Sequence, residues 1–169
     1  MSLQAPWLKA VNGAIGAGSV AKYFEGMQPY APTSGPAWQT YNKALLASGS
    51  QVPKPGQWSS DPYSMTYYDG VNVMALAMLA AKSTKPAVFN PDVMKVTEPG
   101  PGKTVVTSYA AGKSALAAGK QIQYVGAGGP IVFNRWHNST GAFEAARYVN
   151  GKLVLVGSVS AAQIAAMSR

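Results

Sequence analysis

Residues 98 to 107 read EPGPGKTVVT, and the central GPGKT matches the second half of a phosphate-binding loop. That chemistry needs G-x-x-x-x-G-K-[ST], so that successive backbone N–H groups curl around the phosphates and face a helix N-terminus. Gly102, Lys103 and Thr104 satisfy the pattern, but the position of its first glycine holds Thr97. Pro99 and Pro101 remove N–H groups that the cradle would use. The residues that follow, TVVTS, are β-branched and predict a strand where the loop requires a helix. The stretch therefore reads as a turn entering a short strand, and a nucleotide-using enzyme acting through Lys103 is the weakest of the functions considered.

Other catalytic chemistry has little material. The chain has 169 residues and no cysteine, which excludes disulfides, thiol catalysis and cysteine-ligated metals. His137 is the only histidine and falls in a polar turn beside Trp136, where both read as exposed loop residues. The six acidic residues are scattered, so neither a zinc site nor a paired-carboxylate acid–base site is marked. The expectation is a non-enzyme without cofactor or metal. The net charge of +8 invites a nucleic-acid hypothesis. The lysines are dispersed, however, and arginines number only three (Arg135, Arg147 and Arg169), so nucleic acid is not the expected partner.

The elements that would position a site follow from periodicity and punctuation. The longest apolar stretch, Val71 to Ala81, contains Asn72 and is too short to span a bilayer. The Gly-rich segment after Lys9 lacks the continuous apolar run of a secretory signal. PWLKAVNGAIGAGSVAKYF predicts a short helical piece and a Gly-rich turn, and AKYFEGMQP a strand. A helix starts near Pro36, capped by Ser34 or Gly35, with Trp38, Tyr41 and Leu45 on one face. The strongest helix begins at Pro62 under an Asp61 cap. Its residues Met65, Tyr68, Val71, Ala75, Met78 and Leu79 form a stripe expected in the core, with Lys82 in the last turn.

NPDVMKVT predicts a short helix capped by Asn90, and TSYAAGKSALAAGK a helix capped by Thr107 or Ser108 and closed by Gly119. QIQYVG, PIVFN, AFEAARYVN and KLVLVGSVS predict strands. Asn150-Gly151 marks a hairpin between the last two, because a type I′ turn needs positive φ at both central positions. SAAQIAAMSR predicts a terminal helix.

Several of these stretches, taken in order, resemble the C-terminal part of type I periplasmic binding proteins. The nearest group is the branched-chain amino-acid (Leu/Ile/Val) binding family of ABC transporters. The motifs are Tyr68-Asp69-Gly70, the Pro-Gly turn at 99 to 102, Tyr109 through Lys113, and Tyr124 through Phe133. The resemblance covers roughly Trp7 to Val156. Two departures stand out: Gly70 replaces the usual Ala, and Asn134-Arg135-Trp136-His137 replaces a usually acidic or polar turn.

The resemblance implies an α/β fold, or α+β if the chain stands as an isolated piece, forming part of one lobe with a C-terminal β-hairpin. It implies a helix-rich part of lobe one over residues 1–120. Hinge-crossing strands, hairpin and terminal helix would follow over 121–169, the whole being a single incomplete domain. It further implies a solute-binding component of an importer. The ligand would be an amino acid or similar small polar solute, a membrane permease would be the partner, and the location would be periplasmic or extracellular. Tyr63, at the start of the main helix, would line the ligand cleft, and Tyr30 is a second contact; a surface tyrosine near a helix cap is the other reading of Tyr63.

The family's N-terminal half supplies the central parallel strands and the loop that grips the ligand's charged ends. That half has no counterpart here, so the helices and hairpin are expected to leave apolar faces uncovered. The chain would then be a piece of a longer protein, would pair with a complementing chain or a copy of itself, or would be a stand-alone interaction or structural domain without a small-molecule site.

Overall fold

A computed structural model describes residues 5–23, 25–30, 32–134, 136–139, 141–149 and 152–167. The architecture is mixed α/β, as the sequence predicts, and it divides into two compact units: residues 1–30 with 142–169, and residues 31–141. The boundary expected at residue 120 falls inside the second unit.

The first unit is built on an antiparallel sheet of order β1-β5-β6, with β1 at Glu25–Tyr30, β5 at Ala142–Val149 and β6 at Lys152–Val159. The strand predicted from Ala21 starts only at Glu25, because the preceding residues form helix α2 (Ala17–Tyr23) after α1 (Ala5–Ile15). Gly16, with φ +81°, separates the two helices by a left-handed step that glycine adopts without penalty. Helices α2 and α7 (Ala161–Met167) both pack on β5. Val20 and Ala146 are buried there, and Arg147 pairs with Glu25 across β1 and β5. Register shifts by one residue between Ala145, opposite Gly157, and Ala146, opposite Leu155, so Val156 sits in a bulge. The predicted turn at Asn150-Gly151 lies outside the described residues.

The second unit holds α3 (Gly35–Ala47), α4 (Pro62–Ala81), α5 (Pro86–Thr97), β2 (Thr104–Val106), α6 (Tyr109–Ala117), β3 (Ile122–Gly126) and β4 (Gly129–Pro130). Strands β2 and β3 are parallel with α6 between them in sequence, and β4 adds antiparallel to β3. Helix α4 packs on α5 and α6, and α5 and α6 on β3. The core joins Val73, Leu76, Phe89, Val96, Val106, Ile122 and Tyr124. A smaller cluster of Tyr41, Met65 and Ala127 gathers Trp38, Leu45 and Tyr68 around it.

Local chemistry explains several boundaries. Asp61 caps α4 by accepting from the Ser64 N–H at 2.7 Å, with Pro62 in the first turn. Ser108 caps α6 by accepting from the Ala111 N–H at 3.2 Å. Helix α5, however, starts at Pro86, one turn earlier than Asn90-Pro91 predicts, and carries Pro91 in its interior. Phe89, Val93 and Val96 explain the extension: their i, i+4, i+7 spacing puts one apolar face on the core, offsetting the backbone bond that Pro91 forfeits. PIVFN is not a strand over its length: Pro130 ends the two-residue β4, and beyond it only Phe133 bridges, to Ser139.

The buried face of α4 also differs from the predicted stripe. Val71 is 62% exposed and Leu79 39%, whereas Asp69, Asn72, Val73, Leu76 and Ala77 are buried with Met65. The helix is turned so that two polar residues face inward, and the reason lies in what they meet.

Candidate functional site

Asp69 sits midway along α4 with 3% of its surface exposed. An isolated buried carboxylate is costly, so its partners decide whether it is tolerated. Oδ1 accepts from the Tyr124 hydroxyl at 2.9 Å and from the Ala127 N–H at 2.8 Å, and Oδ2 accepts from the Gly128 N–H at 2.9 Å. Asn72, one turn further along the helix, donates its amide to the Tyr124 oxygen at 3.0 Å. The carboxylate thus grips the turn after β3, and the tyrosine ties that grip to the strand.

Glycine is a condition of this arrangement. A Cβ on Gly126 would overlap both oxygens and the carboxyl carbon of Asp69, so only glycine lets strand and carboxylate approach so closely. Gly70, by contrast, has open space at its Cβ position, so a side-chain methyl there would meet no atom. Burial pushes the Asp69 carboxyl above its ordinary range, and the three donors pull it back only in part. Burial, and then the Asp69 charge beside it, push the Tyr124 hydroxyl upward, so it stays a protonated donor. The protonated phenol and the carboxyl held by backbone N–H groups together make a structural clamp between α4 and the turn after β3.

Two concave surfaces adjoin the clamp. One, of about 330 Å³, lies over Gly70 and Met74 of α4 and is walled by Gly129, Pro130, Ile131 and Phe133, with Thr66 and Ser139 as hydroxyl-bearing members. The other, of about 490 Å³, is aromatic: Tyr41, Trp58, Tyr67 and Tyr68 surround Leu45 and Val52, with Ser48 and Ser64 at hand. Its walls are fixed from behind. The Tyr41 hydroxyl donates to the Trp58 carbonyl at 2.7 Å, the Trp38 indole N–H donates to the Ser59 carbonyl at 2.8 Å, and Tyr41 and Tyr68 meet edge to face with centroids 5.3 Å apart. Both volumes suit a small molecule.

Tyr63 occupies the first turn of α4 and is 39% exposed; Tyr30 ends β1, opposite Ala142, and is 45% exposed. The two tyrosines belong to different compact units, and neither lines the two concave surfaces. Sequence reading passed over Tyr67 and Trp58. Tyr67 carried a usable signal, since it follows Tyr63 by four residues and so shares its helix face.

Lys103 settles the phosphate-loop question. Its ammonium donates to the Lys95 carbonyl at 2.6 Å and to the Glu98 carbonyl at 2.7 Å, closing the C-terminal end of α5. The next helix begins only at Tyr109, beyond β2. Trp136 and His137 are exposed, as expected of loop residues. Among the described residues no three His, Cys, Asp or Glu side chains gather as a metal site, and no helix is long and apolar enough to cross a membrane.

No protein family matches the chain, and no curated protein does. Among solved structures it is similar to a leucine-binding protein from Thermotoga maritima, at 14% identity and a TM-score of 0.49. That likeness covers 87% of this chain and 33% of the other, so the chain spans about a third of that protein's length.

Proposed function

We propose that the chain is a solute-binding component of an extracytoplasmic importer, belonging to the type I periplasmic binding proteins and taking an amino acid or similar small polar solute. One observation carries the reading. The two motifs most responsible for the resemblance, Tyr68-Asp69-Gly70 and Tyr124 through Phe133, lie far apart in sequence yet form a single hydrogen-bonded constellation around Asp69. Motifs that meet in space and depend on one another are parts of one design. The aromatic basin beside the clamp supplies the apolar wall a solute side chain needs. Tyr63, on the same helix as Ser64, Tyr67 and Tyr68 of that basin, is the proposed solute contact of the second unit, and Tyr30 is proposed for the first unit on the resemblance alone. The membrane permease and the periplasmic or extracellular location follow from this reading.

Calorimetric titration with a panel of L-amino acids tests it. At least one is expected to bind with a dissociation constant of about 100 μM or tighter, and Tyr63→Ala is expected to weaken it about tenfold. Absence of heat from the whole panel overturns the reading.

A second reading has its own support: an interaction or structural domain completed by another chain or by self-association. Tyr67 at 79%, Val71 at 62% and Met74 at 47% exposure leave an apolar stripe uncovered on α4. Sedimentation that reports a concentration-dependent oligomer, together with a silent amino-acid panel, would establish it.

A further inference from the structure

The C-terminal turns of α4, α5 and α6 meet around a third concave surface of about 400 Å³. Its floor is apolar, from Leu79, Val96, Leu116 and Ile122, and its polar wall holds Lys82, Lys95, Lys103 and Lys120 with Asp92 as the single acid. Four lysines at helix C-termini have an ordinary explanation, since cations there complement the helix dipoles. The hydrogen bonds show which lysines that explanation covers.

Lys95 pairs with Asp92 at 3.1 Å, and Lys103 closes α5 through the Lys95 and Glu98 carbonyls. The terminal carbonyls of the other two helices are met by backbone. The Ser83 N–H donates to the Met78 carbonyl at 3.1 Å, and the Lys120 N–H donates to the Ala115 carbonyl at 3.0 Å. Lys82 and Lys120 are therefore not needed to finish their helices. Among the described residues no carboxylate or carbonyl engages either ammonium.

Lys82 is also conformationally unusual. It caps α4 at φ +50°, ψ +35°, a left-handed position where glycine is the favoured residue and where Gly119 stands at the corresponding end of α6. A lysine there costs about 1 kcal/mol over glycine and adds nothing to the helix end that glycine would not.

We propose that this surface is a binding site for a small organic anion. Lys82 and Lys120 hold its acidic group, a phosphate monoester or carboxylate, and its apolar body lies on Leu79, Val96, Leu116 and Ile122. The site is separate from the solute contacts at Tyr63 and Tyr30, so it stands or falls independently of the importer reading. Two free ammonium groups supply the charge, the buried ends of Val96 and Ile122 supply the apolar contact, and the volume suits an occupant of modest size.

Monomeric octyl phosphate, followed by calorimetry at low salt, is the probe, with inorganic phosphate and octyl glucoside as charge-only and chain-only comparisons. Octyl phosphate is expected to bind at least about tenfold more tightly than either. The Lys82→Gly, Lys120→Gln double variant is expected to lose about tenfold or more in affinity while keeping its thermal midpoint, because glycine suits the Lys82 backbone. Lys54→Gly is the matched control: Lys54 is also left-handed, at φ +48°, and lies away from this surface, so its loss should leave affinity unchanged. Absence of octyl phosphate binding overturns the proposal. So does binding that survives the double variant, or binding that Lys54→Gly weakens equally.

Discussion

Two glycine-rich turns in the second unit invite opposite guesses from sequence. The turn at 99 to 102, ahead of Lys103 and Thr104, advertises phosphate chemistry; the turn at 126 to 129 advertises nothing beyond a place where a strand ends. In the structure the first is a helix closure, its lysine engaged with the end of α5, and losing that contact should cost little. The second is gripped by a buried carboxylate, and no side chain fits at Gly126. A motif's familiarity measures what its residues can do in some context. The partners that burial supplies decide what they do in this one.

The contrast is sharpened most by Gly126→Ala. Its Cβ must expel Asp69 from its three donors and leave a buried carboxylate short of partners, which should destabilise the second unit by about 3 kcal/mol or more in urea unfolding. If Ala is accepted within about 0.5 kcal/mol, the turn is not held as described.

Asp69→Asn should cost about 2 kcal/mol, since an amide can accept at one position but presents a donor to the Gly128 or Ala127 N–H. The cost should also depend on pH. The folded carboxyl titrates above the unfolded value of 3.8, so the native state keeps its proton where the unfolded chain has released it. The wild type's advantage over the non-titrating variant is then greatest below that value and shrinks as pH rises through the folded pKa. Paired urea unfolding curves at about pH 4 and about pH 7 should show the smaller gap at the higher pH; a gap that widens upward would mean the donors outweigh burial.

Lys103→Met is the smallest effect. Loss of two bonds to the end of α5 should cost about 1 kcal/mol, read as a small drop in thermal midpoint. A loss as large as that of Gly126→Ala would erase the distinction between the two turns.

Much of the second unit was legible because its signals are local. The Asp61 cap, the Ser108 cap and Gly119 after α6 are decided by neighbours within a few residues. The parallel β2 and β3 strands follow from their β-branched and apolar runs. What could not be read locally was the orientation of α4. Met65, Tyr67, Tyr68, Val71, Met74 and Leu76 spread apolar surface around most of its circumference, so a stripe of the right spacing can be drawn on more than one face. The one actually buried is chosen by Asp69 and Asn72, whose satisfaction requires Tyr124 and a turn more than fifty residues away. Asn90-Pro91 misled for the related reason that the packing of Phe89 and Val96 overrode a local start signal. At the candidate site, Tyr63 and Tyr30 came from resemblance, whereas the aromatic basin depends on the loop that carries Trp58 over Tyr41, a juxtaposition no spacing rule contains.

The uncovered residues of α4 agree with the expectation of bare apolar surface. The first unit shows the same on its own sheet, where Met27, Leu155 and Val156 are all more than half exposed.

The Asp69 grip also sets a clock within the second unit. Amides in turns ordinarily trade their protons with solvent through small local openings. Those of Ala127 and Gly128 point into a carboxylate that α4 carries in its middle, so freeing either one requires the helix to part from the strand. These two N–H groups should therefore exchange slowly for a turn, and their exchange should report the cooperative opening of what is packed between α4 and β3.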